Sequence, residues 1–214
     1  VNGASMQGAS VATAIAALRG QADSQVQLQV VRNDQTLNFT LKRGAVLTGD
    51  VSANQLTTGV VYIQVEAITA SAVNDVELAL QKYKHSKGIV LDLRDNPGGI
   101  IDEGVNLASI FLSEGSVVSY SRKGESDVVL NSTNAKPETA PMVVLINRST
   151  ASSAEVIAGA LQDRNRAVVL GEKSYGKGTV QEILNLSDGS QLEITVGKYR
   201  TPNGRLIDQE GITP

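Results

Sequence analysis

The stretch PMVVLINRSTASSAEVIAGALQD, residues 141–163, contains the transition that decides the fold. Its first part is a short continuous apolar run, which is typical of a buried strand. Its last part places apolar residues at helical spacing. Small and hydroxyl-bearing residues lie between the two parts, among them Ser149, Thr150, Ser152 and Ser153. The stretch therefore predicts a strand, a tight corner and a helix.

The same alternation of strand and helix patterns continues on both sides of this corner, from residue 59 onwards. Further strands are predicted at GVVYIQVEAI (59–68), GIVLDLR (88–94), SVVSYSR (116–122), AVVLGE (167–172), EILNL (182–186) and QLEITVGKYR (191–200). Further helices are predicted at SAVNDVELALQKYKHS (71–86) and IIDEGVNLASIFL (100–112). Residues 122–140 are polar and predict a loop. Strands that alternate with helices indicate βαβ units, so we expect an α/β fold with a mostly parallel sheet covered by helices.

The first 43 residues have a different pattern. Apolar residues at helical spacing in SVATAIAALRG (10–20) predict a short helix that ends before a glycine. Two alternating stretches flank Asn33-Asp34 in QVQLQVVRNDQTLNFTLKR (25–43), which predicts a β-hairpin. One helix and one hairpin are too little to bury a core alone. We therefore expect residues 1–43 to be part of a domain whose beginning is missing, and residues 44–58 to be a connector.

Composition argues against several classes of function. The 214 residues include 19 Lys and Arg and 22 Asp and Glu, and the net charge of −3 without a basic stripe argues against nucleic-acid or anionic membrane partners. The absence of cysteine removes disulfides, thiolate zinc sites and a thiol nucleophile. No phosphate-binding glycine motif and no cluster of metal ligands is present in the sequence, so we predict neither a metal nor another cofactor. No apolar run approaches the roughly 18 residues that a membrane-spanning helix needs.

Three unusual stretches follow predicted strands. They are RDNPGG (94–99), NRSTASS (147–153) and KSYGKG (173–178). In parallel α/β sheets, functional sites form beyond the carboxyl ends of the strands, because the loops there face one common edge. If the three strands are parallel and close together, we expect these loops to meet.

The serine corner has two interpretations. Ser152 and Glu155 have the S-x-x-E spacing of a capping box, so a hydroxyl here is first a candidate helix cap. A hydroxyl at a helix start also lies beside unpaired backbone N–H groups and the positive end of the helix dipole. Such groups can stabilise the oxyanion that forms when a serine attacks a carbonyl carbon. The corner is therefore also a candidate nucleophile site.

A serine nucleophile needs a base. The only histidine, His85, lies between a predicted helix and the strand that follows it, at the opposite edge of the sheet, so we expect a surface residue. Lysine is the main remaining base, and it accepts a proton only where desolvation leaves its amine neutral. Lys173 and Lys177 both fit by location, and spacing does not choose between them. Pro97 and its two following glycines predict a turn whose backbone amides can closely approach a ligand.

Four blocks together resemble the C-terminal processing peptidases, the tail-specific serine proteases of peptidase family S41. The blocks are GIVLDLRDNPGG (88–99), VVLINRSTASSAEVIAGALQD (143–163), VVLGEKSYGKGTVQ (168–181) and YRTPNGRLIDQEGI (199–212). The resemblance implies a spiral of βαβ units like that of ClpP and crotonase, with residues 59–214 as a serine peptidase catalytic domain. Residues 1–43 are similar to the second half of a PDZ domain, so a truncated PDZ-like α+β segment is expected before the catalytic domain.

The resemblance assigns roles to individual residues. It implies that Ser152 is the nucleophile, that Lys177 rather than Lys173 is the general base, and that Gln181 orients this lysine. It places the oxyanion hole at the backbone N–H groups of Gly98 or Gly99 and of Ser153. The family usually reads GSASASE where this chain reads STASSAE. Ser153 is therefore also a competing hydroxyl beside the expected nucleophile.

The implied function is that of a serine endopeptidase that cleaves proteins near apolar C-terminal tails. The resemblance also implies an extracytoplasmic location, such as a periplasm, cell envelope or thylakoid lumen, and is compatible with a homo-oligomer. The alternative is a non-catalytic PDZ-type peptide-binding or scaffold module on the same fold, which loss of the Ser/Lys pair would favour. A related spiral fold also acts on acyl thioesters, but the sequence lacks a basic cluster suited to a nucleotide-bearing cofactor.

Overall fold

A computed structural model describes residues 1–18, 20–21, 24–43, 49–56, 59–122 and 124–214. The chain forms two compact units, Val1–Thr48 with Gln181–Ile194, and Gly49–Val180 with Thr195–Pro214. In chain order, the elements are α1 (Val11–Leu18), β1 (Gln25–Arg32), β2 (Gln35–Lys42), β3 (Val51–Gln55), β4 (Val60–Val65), α2 (Ala72–Lys82), β5 (Gly88–Asp92), α3 (Ile101–Phe111), β6 (Gly115–Arg122), β7 (Val128–Ser132), β8 (Met142–Ile146), α4 (Ser153–Asp163), β9 (Val168–Gly171), β10 (Thr179–Asn185) and β11 (Gln191–Arg200).

A five-stranded sheet with the order β3-β4-β5-β8-β9 is the frame of the larger unit. The neighbours β4 and β5, β5 and β8, and β8 and β9 are parallel. The mixed α/β fold and the parallel sheet expected from the alternating pattern are therefore confirmed. Because four adjacent strands run the same way, their carboxyl ends lie at one edge of the sheet.

The hydrophobic core lies on the face of this sheet that the helices cover. Strand β4 alternates between buried and half-buried residues. Its Ile63 belongs to one core cluster with Leu91 of β5, Val144 of β8, Leu107 of α3 and Ile157 of α4. Each of these five side chains is fully buried. Three of the four residues of the outer strand β9 are exposed.

Two strands lie where the sequence pattern predicted irregular structure. Strand β3 lies within the expected connector and pairs antiparallel with β4, while residues 44–48, 57 and 58 of that connector lie outside the described residues. Strand β7 lies within the predicted loop 122–140 and pairs antiparallel with β6. Both strands are five residues long. Strand β3 (VSANQ) is largely polar, and β7 (VVLNS) has three apolar residues followed by two polar ones, so neither has the apolar alternation that reveals a strand in the sequence. A second sheet contains β7 in the order β10-β11-β6-β7.

The smaller unit contains α1 and the predicted hairpin. Strands β1 and β2 pair antiparallel in continuous register, with Arg32 opposite Gln35 at the turn. Asn33 and Asp34 both have positive φ angles, as a two-residue type I′ turn requires. The hairpin prediction is therefore confirmed. The assignment of residues 1–43 to a PDZ domain stays a prediction.

Candidate active site

Three loops meet at the carboxyl edge of the five-stranded sheet. The Asp95 N–H donates to Asn147 Oδ1, and Asn147 Nδ2 donates to Asp95 Oδ1, both at 2.9 Å. The Ala151 N–H donates to the Asn96 carbonyl, and the Tyr175 N–H donates to the carbonyl of Thr150 at 2.9 Å. The loops after β5, β8 and β9 thus join into one structure, as the sequence predicted.

Ser152 begins helix α4 in a backbone conformation that residues with a side chain rarely adopt. Its φ is 58° and its ψ is −125°. Backbone strain of this kind costs on the order of 1–3 kcal/mol and persists only where the surroundings hold it. A nucleophilic serine on a strained turn between a strand and a helix is a recurring arrangement in hydrolases. Ser152 is half-buried.

The Glu155 carboxylate is the centre of the site, and it is fully buried. Its Oε2 atom accepts hydrogen bonds from the backbone N–H groups of Ser152 and Lys177, both at 2.8 Å. Its Oε1 atom accepts from Ser174 Oγ at 2.5 Å and from the Gly176 N–H at 2.7 Å. A buried carboxylate is costly unless hydrogen bonds compensate for its lost water, and here four donors do so.

The shared oxygen of Glu155 brings the backbones of Ser152 and Lys177 together. Because both N–H groups donate to Oε2, the two nitrogen atoms are no more than twice 2.8 Å apart. Lys173, the other lysine of this loop, has no such bond to Glu155 and is exposed. The S-x-x-E spacing predicted the contact of Glu155 with Ser152, which is present as a capping box. It could not reveal the contacts with the lysine loop, which is about twenty residues away in sequence.

The C-terminal segment holds the lysine loop from the other side. The Gln209 N–H donates to the carbonyl of Gly176 at 2.8 Å, and the Tyr199 N–H donates to the carbonyl of Gly178 at 2.7 Å. A Cβ atom at Gly178 would lie 2.1 Å from the backbone nitrogen of Asp208. Glycine is therefore required at this position, because only a residue without a side chain lets the two backbones approach so closely.

The expected oxyanion donors lie beside Ser152. A Cβ atom at Gly98 would lie 2.7 Å from Ser152 Cβ and 3.0 Å from the Ser153 nitrogen. The Gly98 N–H donates to Asn96 Oδ1 at 2.8 Å, so it is already used. The N–H groups of Gly99 and Ser153 make no hydrogen bond within the part of the chain that the structure describes.

The Ser153 side chain is enclosed. It is fully buried, and its hydroxyl has no hydrogen-bond partner among the described residues. A Cβ atom at Gly104 of α3 would lie 2.9 Å from Ser153 Cβ, so the helix packs closely against it. A hydroxyl without access to a substrate cannot act as a nucleophile. Between the two serines, the structure exposes only that of Ser152.

Two other residues named in the sequence analysis are His85 and Gln181. His85 is exposed in the turn after α2, before β5 begins, so it lies at the amino end of the strand as expected. Gln181 is an exposed residue of β10 and falls in the smaller unit. Within the described parts of the chain, no group of three or more His, Asp and Glu side chains could hold a metal ion.

A buried aspartate at the end of β5 binds the start of the loop that follows this strand. Asp92, the last residue of β5, accepts a hydrogen bond from the Tyr62 hydroxyl at 2.6 Å and pairs with Arg94 Nη2 at 2.5 Å. Burial would raise the pKa of the Asp92 carboxyl, but the hydrogen bonds from Arg94 and Tyr62 outweigh it and lower the pKa below its ordinary value. Burial and the bond to Asp92 in turn raise the pKa of the Tyr62 hydroxyl.

The fold and the site define a class of α/β proteins with a strained, accessible serine at a helix start and a lysine on the adjacent loop. The family model of peptidase family S41 matches residues 59–214. The chain belongs to peptidase family S41. This confirms the resemblance found in the four sequence blocks, and the matched range does not include the PDZ-like segment.

Curated relatives of the chain have names that describe carboxyl-terminal processing proteases. The chain is 35% identical over 223 residues to the Carboxyl-terminal-processing protease of Synechocystis sp., covering all of this chain and 52% of that protein. It is 33% identical over 219 residues to the Carboxy-terminal processing protease CtpA of Bacillus subtilis, covering all of this chain and 47% of that protein. The chain spans about half the length of these relatives.

Solved structures share the fold. The photosystem II D1 C-terminal processing protease has a TM-score of 0.76 and 30% sequence identity, with 91% of this chain and 55% of that chain covered. A lipoprotein from Streptococcus agalactiae has a TM-score of 0.64 at 23% identity, with 78% and 64% covered, and this likeness concerns the fold alone. Among the described residues, no helix has the length and apolar character needed to cross a membrane.

The role of Glu155 predicts a large loss of stability when its charge is removed. In Glu155→Gln, the amide NH₂ faces backbone donors, so we expect the free energy of unfolding in urea to fall by about 2–4 kcal/mol. The matched control is Glu172→Gln, which removes an exposed ion pair with Arg148 and should leave the free energy of unfolding nearly unchanged, because exposed ion pairs contribute little to stability. Equal effects of the two substitutions would contradict the role given to Glu155.

The lowered pKa of Asp92 predicts a defined dependence of stability on pH. Its ionised form contributes stability above the unfolded-state pKa of about 3.9, and this contribution is lost as the pH falls through the lower folded-state pKa. Asp92→Asn should therefore destabilise the protein by about 1–3 kcal/mol at neutral pH. The difference in free energy of unfolding between Asp92→Asn and the wild type should become smaller as the pH falls. Urea unfolding at a series of pH values tests this, and a difference that stays constant down to the acid limit of folding would refute it.

Proposed function

We propose that this chain is the catalytic part of a serine endopeptidase that hydrolyses peptide bonds near the apolar C-terminal tails of protein substrates. The observation that carries the proposal is the shared Glu155 oxygen, which holds the backbones of Ser152 and Lys177 together at 2.8 Å each. The family and the names of the relatives support the class of reaction. The tail preference rests on the relatives' names and on the resemblance.

In the first step, Ser152 Oγ attacks the carbonyl carbon of the peptide bond. The neutral amine of Lys177 takes the hydroxyl proton, and the carbonyl oxygen becomes an oxyanion. The N–H groups of Gly99 and Ser153 are the available donors for this oxyanion. Gly98 then has a supporting role, because its own N–H is bonded to Asn96 and its lack of a side chain keeps the space beside Ser152 open.

The tetrahedral intermediate then collapses. The bond between the carbonyl carbon and the amide nitrogen breaks, and the Lys177 ammonium gives its proton to the leaving amine. Water attacks the carbonyl carbon of the resulting ester while Lys177 accepts a proton from it. The bond between this carbon and Ser152 Oγ then breaks, Lys177 returns the proton to Oγ, and the acid product is released. The family resemblance gives Gln181 the role of orienting Lys177. Lys177 is exposed without substrate, so a bound substrate that excludes water favours its neutral form.

A second candidate function, peptide binding without cleavage, is favoured by one observation in the smaller unit. A groove of about 1,040 Å³ lies there, and Leu18, Leu28, Val30 and Phe39 contribute to its lining. Edges of antiparallel hairpins and apolar grooves commonly bind extended peptides. This function does not need Ser152 or Lys177, so variants of these two residues separate it from proteolysis.

The proposal predicts which hydroxyl and which amine are essential. Ser152→Ala and Lys177→Ala should each reduce cleavage of an unstructured, apolar-tailed protein by at least about 10³-fold. The matched controls are the neighbouring Ser153→Ala and Lys173→Ala, which should retain most activity. Cleavage is followed by mass spectrometry, and far-UV circular dichroism confirms that each variant is folded. Peptide binding by the wild type with no cleavage at all would favour the second candidate instead.

A further inference from the structure

Tyr175 is an exposed aromatic residue on an immobilised loop. Its side chain is 68% exposed, whereas the chain has only five Tyr, two Phe and no Trp. Its backbone N–H is bonded to the Thr150 carbonyl at 2.9 Å. The residues on its two sides, Ser174 and Gly176, are buried and bonded to Glu155 Oε1. The backbone of Tyr175 is thus held at three successive residues, while its ring is left in solvent.

This combination is not explained by the stability of the fold. An exposed ring buries little apolar surface, and the Tyr175 hydroxyl makes no hydrogen bond within the described residues. A single exposed apolar side chain is ordinary on a protein surface. Binding sites, in contrast, commonly use a large amphipathic ring on an ordered backbone as an anchor. The protein then loses little conformational entropy when the ligand binds.

The position of Tyr175 indicates which part of a ligand it contacts. It lies two residues before Lys177, so their Cα atoms are at most about 7 Å apart. In the proposed reaction, Lys177 gives its proton to the amine of the residue that follows the cleaved bond. That substrate residue is therefore bound next to the lysine loop, of which Tyr175 is the most exposed aromatic residue.

The loop after β5 also has an exposed apolar residue. Ile100 directly follows Gly99 and is 47% exposed, although its N–H is bonded to the carbonyl of Ile68 at 2.9 Å. The two loops that flank Ser152 therefore each present an exposed apolar side chain on a fixed backbone. Such a surface favours apolar substrate residues over charged ones.

We propose that Tyr175 determines specificity by contacting an apolar side chain on the substrate residue immediately after the cleaved bond. This inference rests on the proposed peptidase function and adds the chemistry of the residue that is recognised on the leaving side. The contact is made by the face of the ring, so the hydroxyl is dispensable.

The test compares two unstructured peptides whose cleavage site in the wild type has first been mapped by mass spectrometry. The peptides differ only in the residue after the cleaved bond, which is Leu in one and Ser in the other. Tyr175→Ala should lower kcat/KM for the Leu peptide by about 10- to 100-fold, which is the loss expected from one apolar contact. It should change kcat/KM for the Ser peptide by no more than about 3-fold, so that the preference between the peptides collapses.

Two further variants keep the outcome clear. Tyr175→Phe should retain the preference for Leu. Leu78→Ala removes a comparably exposed apolar side chain on α2, 54% exposed, and should leave both peptides unaffected. A Tyr175→Ala variant that cleaves both peptides at wild-type rates, or slows both equally, overturns this inference while leaving the peptidase function intact. A folded wild type that cleaves neither peptide nor any tailed protein overturns the peptidase function and this inference with it.

Discussion

The buried carboxylate of Glu155 is the constraint on which the candidate site depends. It is the point where the helix after β8 and the loop after β9 are joined, because one of its oxygens binds the start of the helix and both of its oxygens bind the loop. A buried carboxylate needs all of its donors, since each missing donor leaves a charge without compensation. This requirement fixes the loop backbone without using the side chains of Ser152 or Lys177, which are left for chemistry.

The loop is also fixed from the side away from the helix. The segment around residues 207–212 binds the carbonyls of the lysine loop and the hydroxyl of Ser174, and two glycines allow the backbones to touch. The last residues of the chain thus contribute to the site although none of them is a candidate for catalysis. Asp92 has a comparable role for the first loop, where it binds the backbone N–H and the guanidinium of Arg94. Each of the three loops is therefore set by backbone hydrogen bonds rather than by the reacting groups.

Much of the fold could be predicted from the sequence, and the physical reason differs from one element to the next. The apolar run at 142–146 and the helical spacing after it specify β8 and α4, and their order specifies which edge of the sheet carries the loops. The Asn33-Asp34 turn specified the hairpin. Strands β3 and β7 could not be found, because their partners lie in other elements and supply the pairing that their own composition does not indicate. The choice between Lys173 and Lys177 came only from family resemblance.

The chemistry of the site could be predicted less completely. The S-x-x-E spacing indicated a helix cap, but the three further hydrogen bonds of the Glu155 carboxylate depend on the tertiary placement of the lysine loop. The sequence also left Ser153 as a competing hydroxyl beside Ser152, since both residues follow the same strand. The structure separates the two residues by burial, because Ser153 is fully buried close to Gly104 whereas Ser152 is half-buried.

The central claim is that Glu155 assembles one reactive serine with one lysine, and the site of covalent modification by a fluorophosphonate tests it most directly. Mass spectrometry of the modified chain should place a single adduct on Ser152. The adduct should be lost in Lys177→Ala, strongly reduced in Glu155→Gln and retained in Lys173→Ala. An adduct on Ser149 or Ser153, or modification of Ser152 that persists unchanged without Lys177, would contradict the account.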